Sequence, residues 1–130
     1  MFTLQQIKEA HSKVKSGADF PKYMQDIIAL GVTSFETFVS DNHTDYFGSD
    51  TFQITSDGFL ERLEIEKSSN VEQFKSDLKR HQQGQTDYMI FLKDCAKSGV
   101  AKWTVNMGKM TCSYYDINGN EMVVETISTL

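Results

Sequence analysis

The sequence predicts an α+β fold in which one antiparallel sheet carries four helices. Amphipathic helical stripes occur in pairs, and short segments rich in β-branched and aromatic residues follow each pair. This order of two helices and about three strands occurs twice, which indicates an internal duplication. The 130 residues match a single domain, 1–130, since a chain of this length can bury a core without disulfides or metal.

The first two helices are predicted from their ends and their apolar stripes. Thr3 and Gln6 have the spacing of a capping box, which starts the first helix. Pro21 suits the first turn of the second helix, and Gly31 suits its C-terminal cap. The stripes are Leu4, Ile7, His11 and Val14 in the first helix, and Phe20, Tyr23, Met24, Ile27 and Ile28 in the second.

Strand patterns follow these helices. "VTSFETFVS" and "TDYF" lie on either side of the polar "DNH", which predicts a hairpin. A second hairpin is predicted from "TFQI" and "FLERLEIE", which flank the turn "TSDG".

The second half repeats these signals 67 or 68 positions later in the chain. The corresponding positions are Thr3 and Asn70, Gln6 and Gln73, Gly31 and Gly99, Phe35 and Trp103, and Tyr46 and Tyr114. They predict pseudo-repeats 1–66 and 67–130, each a helix-helix-three-strand unit. The alternative is an unrepeated α+β domain with the same element order. In either case we expect Trp103 to be buried on the helix-facing side of the sheet.

The last predicted hairpin is "KMTCSYYDINGNEMVVE", residues 109–125. Asn118 and Gly119 suit a tight turn because they tolerate positive φ, and alternating strands flank them. We therefore interpret this segment as structural.

Charge and hydropathy exclude several kinds of partner. The net charge is −5, so the field of the protein repels phosphate backbones and we expect no nucleic-acid partner. No apolar run approaches the length that spans a bilayer, and the N-terminal segment lacks the apolar core of a secretion signal. We therefore expect a cytoplasmic protein with no membrane partner.

The two cysteines indicate neither a metal site nor a disulfide. Cys95 and Cys112 lack the spacing of zinc ligands, and Cys95 lies on an apolar helical stripe. A nucleophilic Cys112 would need a positive neighbour, and only Lys109 is close in sequence. We expect reduced, buried thiols and no cofactor.

Two longer sequence segments indicate a family. "LGVTSFETFVSDNHTDYFG" and "KSGVAKWTVNMGKMTCSYYDINGNEMVVE" resemble the small bacterial family known as phage envelope proteins, a domain of unknown function that includes YbcV/YdfO-like proteins. The resemblance implies a small α+β protein of bacterial or prophage origin. It implies no established activity and no catalytic or binding residues.

The residues best suited to chemistry lie in "DNHTDYFG". Asp41, His43 and Asp45 alternate, so on an extended strand they would share one side and could bind a metal or perform acid–base catalysis. The alternative is an ordinary polar turn and a solvated strand face. Tyr46 and Tyr114 are predicted, with His43 and Asp45, to contact a ligand near a groove between the halves.

Three functions remain open from the sequence. The favoured one is a small non-catalytic binding or interaction protein, monomeric or homodimeric, with an unknown protein or small-molecule partner. The second is a metal-dependent or acid–base enzyme that uses His43 with Asp41 or Asp45. The third is a structural or accessory phage protein. The motifs of phosphate-binding loops, nucleophile elbows and zinc peptidases do not occur, so no enzyme class is predicted.

Overall fold

The computed structural model describes residues 2–15, 19–58 and 62–127. In these ranges the chain forms four helices and one six-stranded antiparallel sheet, which confirms the α+β prediction. The helices are α1 (Leu4–His11), α2 (Phe20–Leu30), α3 (Val71–Gln82) and α4 (Tyr88–Lys97). The strands are β1 (Ser34–Phe38), β2 (Thr44–Phe47), β3 (Gln53–Ser56), β4 (Val100–Asn106), β5 (Thr111–Asp116) and β6 (Glu121–Thr126).

The helix ends follow the predicted signals. Thr3 and Gln6 form the full capping box: the Gln6 backbone N–H donates to Thr3 Oγ1 at 3.2 Å, and the Thr3 N–H donates to Gln6 Oε1 at 2.9 Å. Asn70 caps α3, and Gly31 ends α2 with a φ of 108°. These local interactions set the helix lengths before any tertiary packing is considered.

The strands lie in the order β3-β2-β1-β4-β5-β6, and every neighbouring pair is antiparallel. The central pair, β1 and β4, joins the first half of the chain to the second. The edge strands are β3 and β6. One sheet is therefore shared by both halves.

The helices cover one face of this sheet. Tyr23 of α2 hydrogen-bonds Tyr46 of β2, and α1 packs beside α2 through the His11 and Tyr23 rings, 5.2 Å apart. On the other half, the Phe74 ring of α3 lies 4.9 Å from that of Tyr114. Phe91 of α4 contacts Trp103, which is only 8 % exposed, so the predicted burial of the tryptophan is confirmed.

The second predicted hairpin is wrong in its pairing. β3 pairs with β2, from Gln53 opposite Phe47 to Ser56 opposite Thr44, and residues 62–66 of "FLERLEIE" form no strand. Residues 59–61 of that segment lie outside the described ranges. The free edge of β2 is taken by β3 directly after the 48–52 turn. Residues 62–66 instead connect to α3, and the Leu63 N–H donates to the Ser40 carbonyl at 2.7 Å.

The β5–β6 hairpin forms as predicted. Gly119 has a φ of 83°, and the Asp116 carboxylate accepts hydrogen bonds from the backbone N–H groups of Asn118 and Asn120, each at 2.9 Å. The role of this stretch is conformational, because its polar side chains stabilise the turn.

The β1–β2 and β4–β5 pairs of the two halves have the same register when compared at an offset of 68 positions. Phe35 lies opposite Tyr46, and Trp103 lies opposite Tyr114. Glu36, whose counterpart at that offset is Thr104, pairs with Thr104 itself in the β1–β4 ladder. Antiparallel pairing of equivalent strands generates a local twofold axis, which passes between these two residues. We propose that the halves are copies of one unit, a relation supported by this shared register.

Truncation of Trp103 tests the packing. Trp103→Ala should lower the free energy of unfolding by about 3–5 kcal/mol, because it removes a large buried ring from contacts on α4 and β5. Urea denaturation measures this loss. Ile117→Ala is the control, since Ile117 is 50 % exposed and should change stability by about 0.5 kcal/mol at most. Equal losses in the two variants would contradict the placement of Trp103 in the core.

Candidate functional site

The sheet face opposite the helices is the candidate functional surface, and we call it the open face. Strand alternation decides which side chains lie there: Phe35 and Thr37 are buried under the helices, whereas Ser34, Glu36 and Phe38 between them point the other way and are half-buried. The strand registers extend this division across the whole sheet.

The open face consists of three rows of side chains that run across the strands. The aromatic row contains His43, Phe38, Lys102, Tyr115 and Glu121. The central row contains Thr55, Asp45, Glu36, Thr104, Ser113 and Val124. The third row contains Gln53, Phe47, Ser34, Asn106, Thr111 and Thr126.

Side-chain contacts within the aromatic row run from His43 to Tyr115. The His43 imidazole stacks on the Phe38 ring, with centroids 4.4 Å apart and planes 9° from parallel. Lys102 Nζ lies 5.8 Å from the centroid of Phe38 and 5.5 Å from that of Tyr115. The same nitrogen is 2.6 Å from Glu36 Oε1. Two aromatic rings and one carboxylate thus surround an ammonium group, a combination that favours cations.

The Asp41–His43 pair lies at the end of this row. Asp41 Oδ1 accepts a hydrogen bond from the His43 backbone N–H at 3.0 Å and lies 2.6 Å from His43 Nδ1. A carboxylate at Nδ1 favours the tautomer with its proton on that nitrogen, so Nε2 is left to accept a proton or hydrogen bond. Partial burial raises the pKa of Asp41, but the hydrogen bonds and charge of His43, with the charge of Arg62, outweigh it and lower that pKa below its ordinary value.

The loop that carries this pair is held in place by close packing. Asn42 adopts a φ of 61°, and its side-chain oxygen accepts a hydrogen bond from the Tyr88 hydroxyl. A Cβ atom at Gly58 would lie 2.1 Å from the Asp41 carbonyl oxygen, so only glycine permits this approach. The geometry of Asp41 and His43 is therefore fixed by the tertiary structure.

Asp45 does not join the other two predicted ligands. Its Oδ1 accepts a hydrogen bond from Thr55 of β3 at 2.7 Å. Asp41 and His43 precede β2, so the alternation of a strand does not govern where they point. Within the described part of the chain, no three His, Cys, Asp or Glu side chains are grouped to hold a metal ion.

Tyr46 and Tyr114 are the other two residues predicted to contact a ligand. They lie on the helix-covered face, 9 % and 6 % exposed, and burial raises the pKa of each hydroxyl. The position expected for a groove between the halves is occupied by the β1–β4 ladder, because these strands hydrogen-bond directly. Neither tyrosine is accessible to a ligand from the open face.

The two thiols are buried in the core, and the other two histidines pack on aromatic rings of the helices. Burial raises the pKa of the Cys112 thiol to about 12 and that of Cys95 well above its ordinary value, so neither is a ready nucleophile. Burial lowers the pKa of both His11 and His81, whose rings pack on Tyr23 and Phe91.

A shallow groove of about 320 Å³ lies between α1 and α2, with Glu9, Lys13 and Asp26 among its lining residues.

The sequence analysis did not single out Phe38, Lys102, Glu36 or Tyr115. Their alternation within "SFETF", "VAKWTVN" and "TCSYYD" could have marked them as outward-facing. Their mutual contacts depend on the register of β1 against β4, which has no local signal.

Residues 8–126 match a family described as a protein of unknown function, DUF1398. The chain belongs to this family. The matched range contains every residue of the three rows and the Asp41–His43 pair. The description names no activity, so the resemblance to phage envelope proteins stays a prediction. A comparison with curated proteins found no significant match. Within the described ranges, no helix has the length and apolar character needed to span a membrane.

The lowered pKa of Asp41 predicts a pH-dependent contribution to stability. Because the folded-state pKa lies below the ordinary value of 3.8, the Asp41–His43 interaction should stabilise the protein above that pH and be lost as the pH falls below it. The wild type should exceed Asp41→Asn in unfolding free energy at pH 7, and the difference should shrink below about pH 4. Denaturation across this pH range measures it. Asp57→Asn, at an exposed position, is the control and should change the free energy of unfolding by about 0.5 kcal/mol at most.

Proposed function

We propose that the protein is a small non-catalytic binding protein and that its ligand contacts the open face. The observation that carries this proposal is the aromatic row, where an imidazole, a phenyl ring, an ammonium and a phenol ring lie side by side across the sheet. Exposed aromatic surface beside a fixed charge is typical of recognition sites.

Part of the support for this site comes from comparing the burial of its residues with that of the other reactive groups. The buried thiols and tyrosines lie under the helices, whereas Phe38, Lys102 and Tyr115 are only half-buried. The row also rests on central strands of the sheet, so its side chains are positioned by regular hydrogen bonding.

A fragment titration tests the open face. A library of small aromatic compounds, added to the ¹⁵N-labelled protein, should shift the amide signals of β1, β4 and β5. Tyr115→Ser should weaken the selected compounds about threefold or more, because it removes one of the two rings around Lys102. Met89→Ser is the matched control: Met89 is an exposed apolar residue on α4, so its substitution should leave the affinity for the selected compounds unchanged. Equal weakening by both variants, or shifts confined to the helices, would count against the proposal.

A second candidate function is acid–base catalysis by His43. The observation that favours it is the 2.6 Å contact between Asp41 Oδ1 and His43 Nδ1, since a carboxylate in this position orients an imidazole for proton transfer through Nε2.

Hydrolysis of p-nitrophenyl acetate provides a direct test of that candidate. If His43 acts as a base, the wild type should hydrolyse this ester faster than His43→Gln. His11→Gln is the control because His11 lies at the end of α1, where its ring packs on Tyr23 of α2. Identical rates for the two variants would remove the support for catalysis.

A further inference from the structure

The charges of the open face are predominantly acidic. Asp45 and Glu36 lie in the central row, Glu121 ends the aromatic row, and Asp41 adjoins His43. Lys102 is the only lysine or arginine among the three rows, whose positions all lie in the described ranges. Arg62 adds one nearby positive charge, since it helps to lower the pKa of Asp41. The face therefore complements a positively charged partner, as does the net charge of −5.

Lys102 shows how this face holds a cation. Its ammonium lies beside the Phe38 and Tyr115 rings and against Glu36. Lys102 and Thr104 both contact Oε1 of Glu36, so neither uses Oε2. The Thr55 hydroxyl likewise donates to Oδ1 of Asp45 and does not use Oδ2. One oxygen of each of these two carboxylates is thus available to further cationic groups.

The spread of the carboxylates sets the size of the partner. Asp45 is on β2 and Glu121 is on β6, which are four strand spacings apart, or about 19 Å. A single amino group can pair with only one of these carboxylates at a time. An extended chain of about six residues covers the whole distance. Its aliphatic and aromatic side chains could pack on Phe38, Phe47 and Tyr115 between the charges.

We propose that the partner of the open face is a basic polypeptide segment whose lysine or arginine side chains pair with Asp45, Glu36 and Glu121. This inference rests on the proposed binding function of the same face. It excludes acidic ligands and phosphate backbones, because the same carboxylates repel them.

Three synthetic hexapeptides test the chemistry of the partner. Each alternates threonine with one other residue, which is lysine, glutamate or glutamine, and each is titrated into the full ¹⁵N-labelled chain. The lysine peptide should shift amides of β1, β2 and β4, and its affinity should fall as salt is added. The glutamate peptide should leave these signals unchanged.

Two double variants with the same change in charge supply the control. Asp45→Asn with Glu121→Gln removes two carboxylates from the open face and should weaken the lysine peptide about threefold or more. Glu64→Gln with Glu72→Gln removes two exposed carboxylates from outside the rows and should leave its affinity unchanged. Equal weakening in the two variants would show a general charge effect and overturn the inference.

The remaining outcomes separate this inference from the proposed function. If the glutamate or glutamine peptide shifts open-face amides as strongly as the lysine peptide, the basic partner is wrong but the face still binds ligands. If the lysine peptide shifts only helix amides while aromatic fragments shift the open face, the inference again fails alone. If neither peptides nor fragments reach the open face, both proposals fail.

Discussion

The antiparallel ladder between β1 and β4 is the interaction on which the rest of the structure depends. It joins Ser34–Phe38 to residues 102–106, and through them the two halves of the chain become one sheet. Each half alone would present three strands with an unpaired edge and a small core. The ladder pairs those two edges and makes the helix-covered faces continuous. It also places Lys102 beside Phe38, from which the aromatic row follows.

The two faces of the sheet have different chemistry because the helices cover only one of them. On the covered side, three polar side chains of the sheet hydrogen-bond within the core: the Thr37 and Thr44 hydroxyls are 2.9 Å apart, and Tyr46 hydrogen-bonds Tyr23 and Thr44. These three side chains already hydrogen-bond within the protein, so they are not available to a ligand. On the open side, imidazole, ammonium and carboxylate groups are half-buried, so they are held in place while remaining in reach of solvent.

If the halves are copies, their open-face residues have diverged while the core has kept its register. At the same offset, Asp41, His43 and Asp45 correspond to Lys109, Thr111 and Ser113. The Asp41–His43 pair therefore occurs at one end of the sheet only. Core positions such as Phe35 and Trp103 remain aromatic in both halves, since each packs under the helices against a tyrosine of the neighbouring strand. Packing constrains the inward residues, whereas the outward ones are free to specialise.

The sequence by itself determined the local elements of this protein. Thr3, Gln6 and Gly31 set helix ends through hydrogen bonds within a few residues, and Gly119 set a turn through its backbone freedom, so these features required no knowledge of the fold. The partner of β3 and the contacts of Lys102 were decided only by the tertiary structure. Strand pairing joins residues that are far apart in the chain, and a one-residue change of register would exchange the two faces, so no local pattern specifies it. The same reason explains why His43 was found as a candidate from the sequence while the row beside it was not.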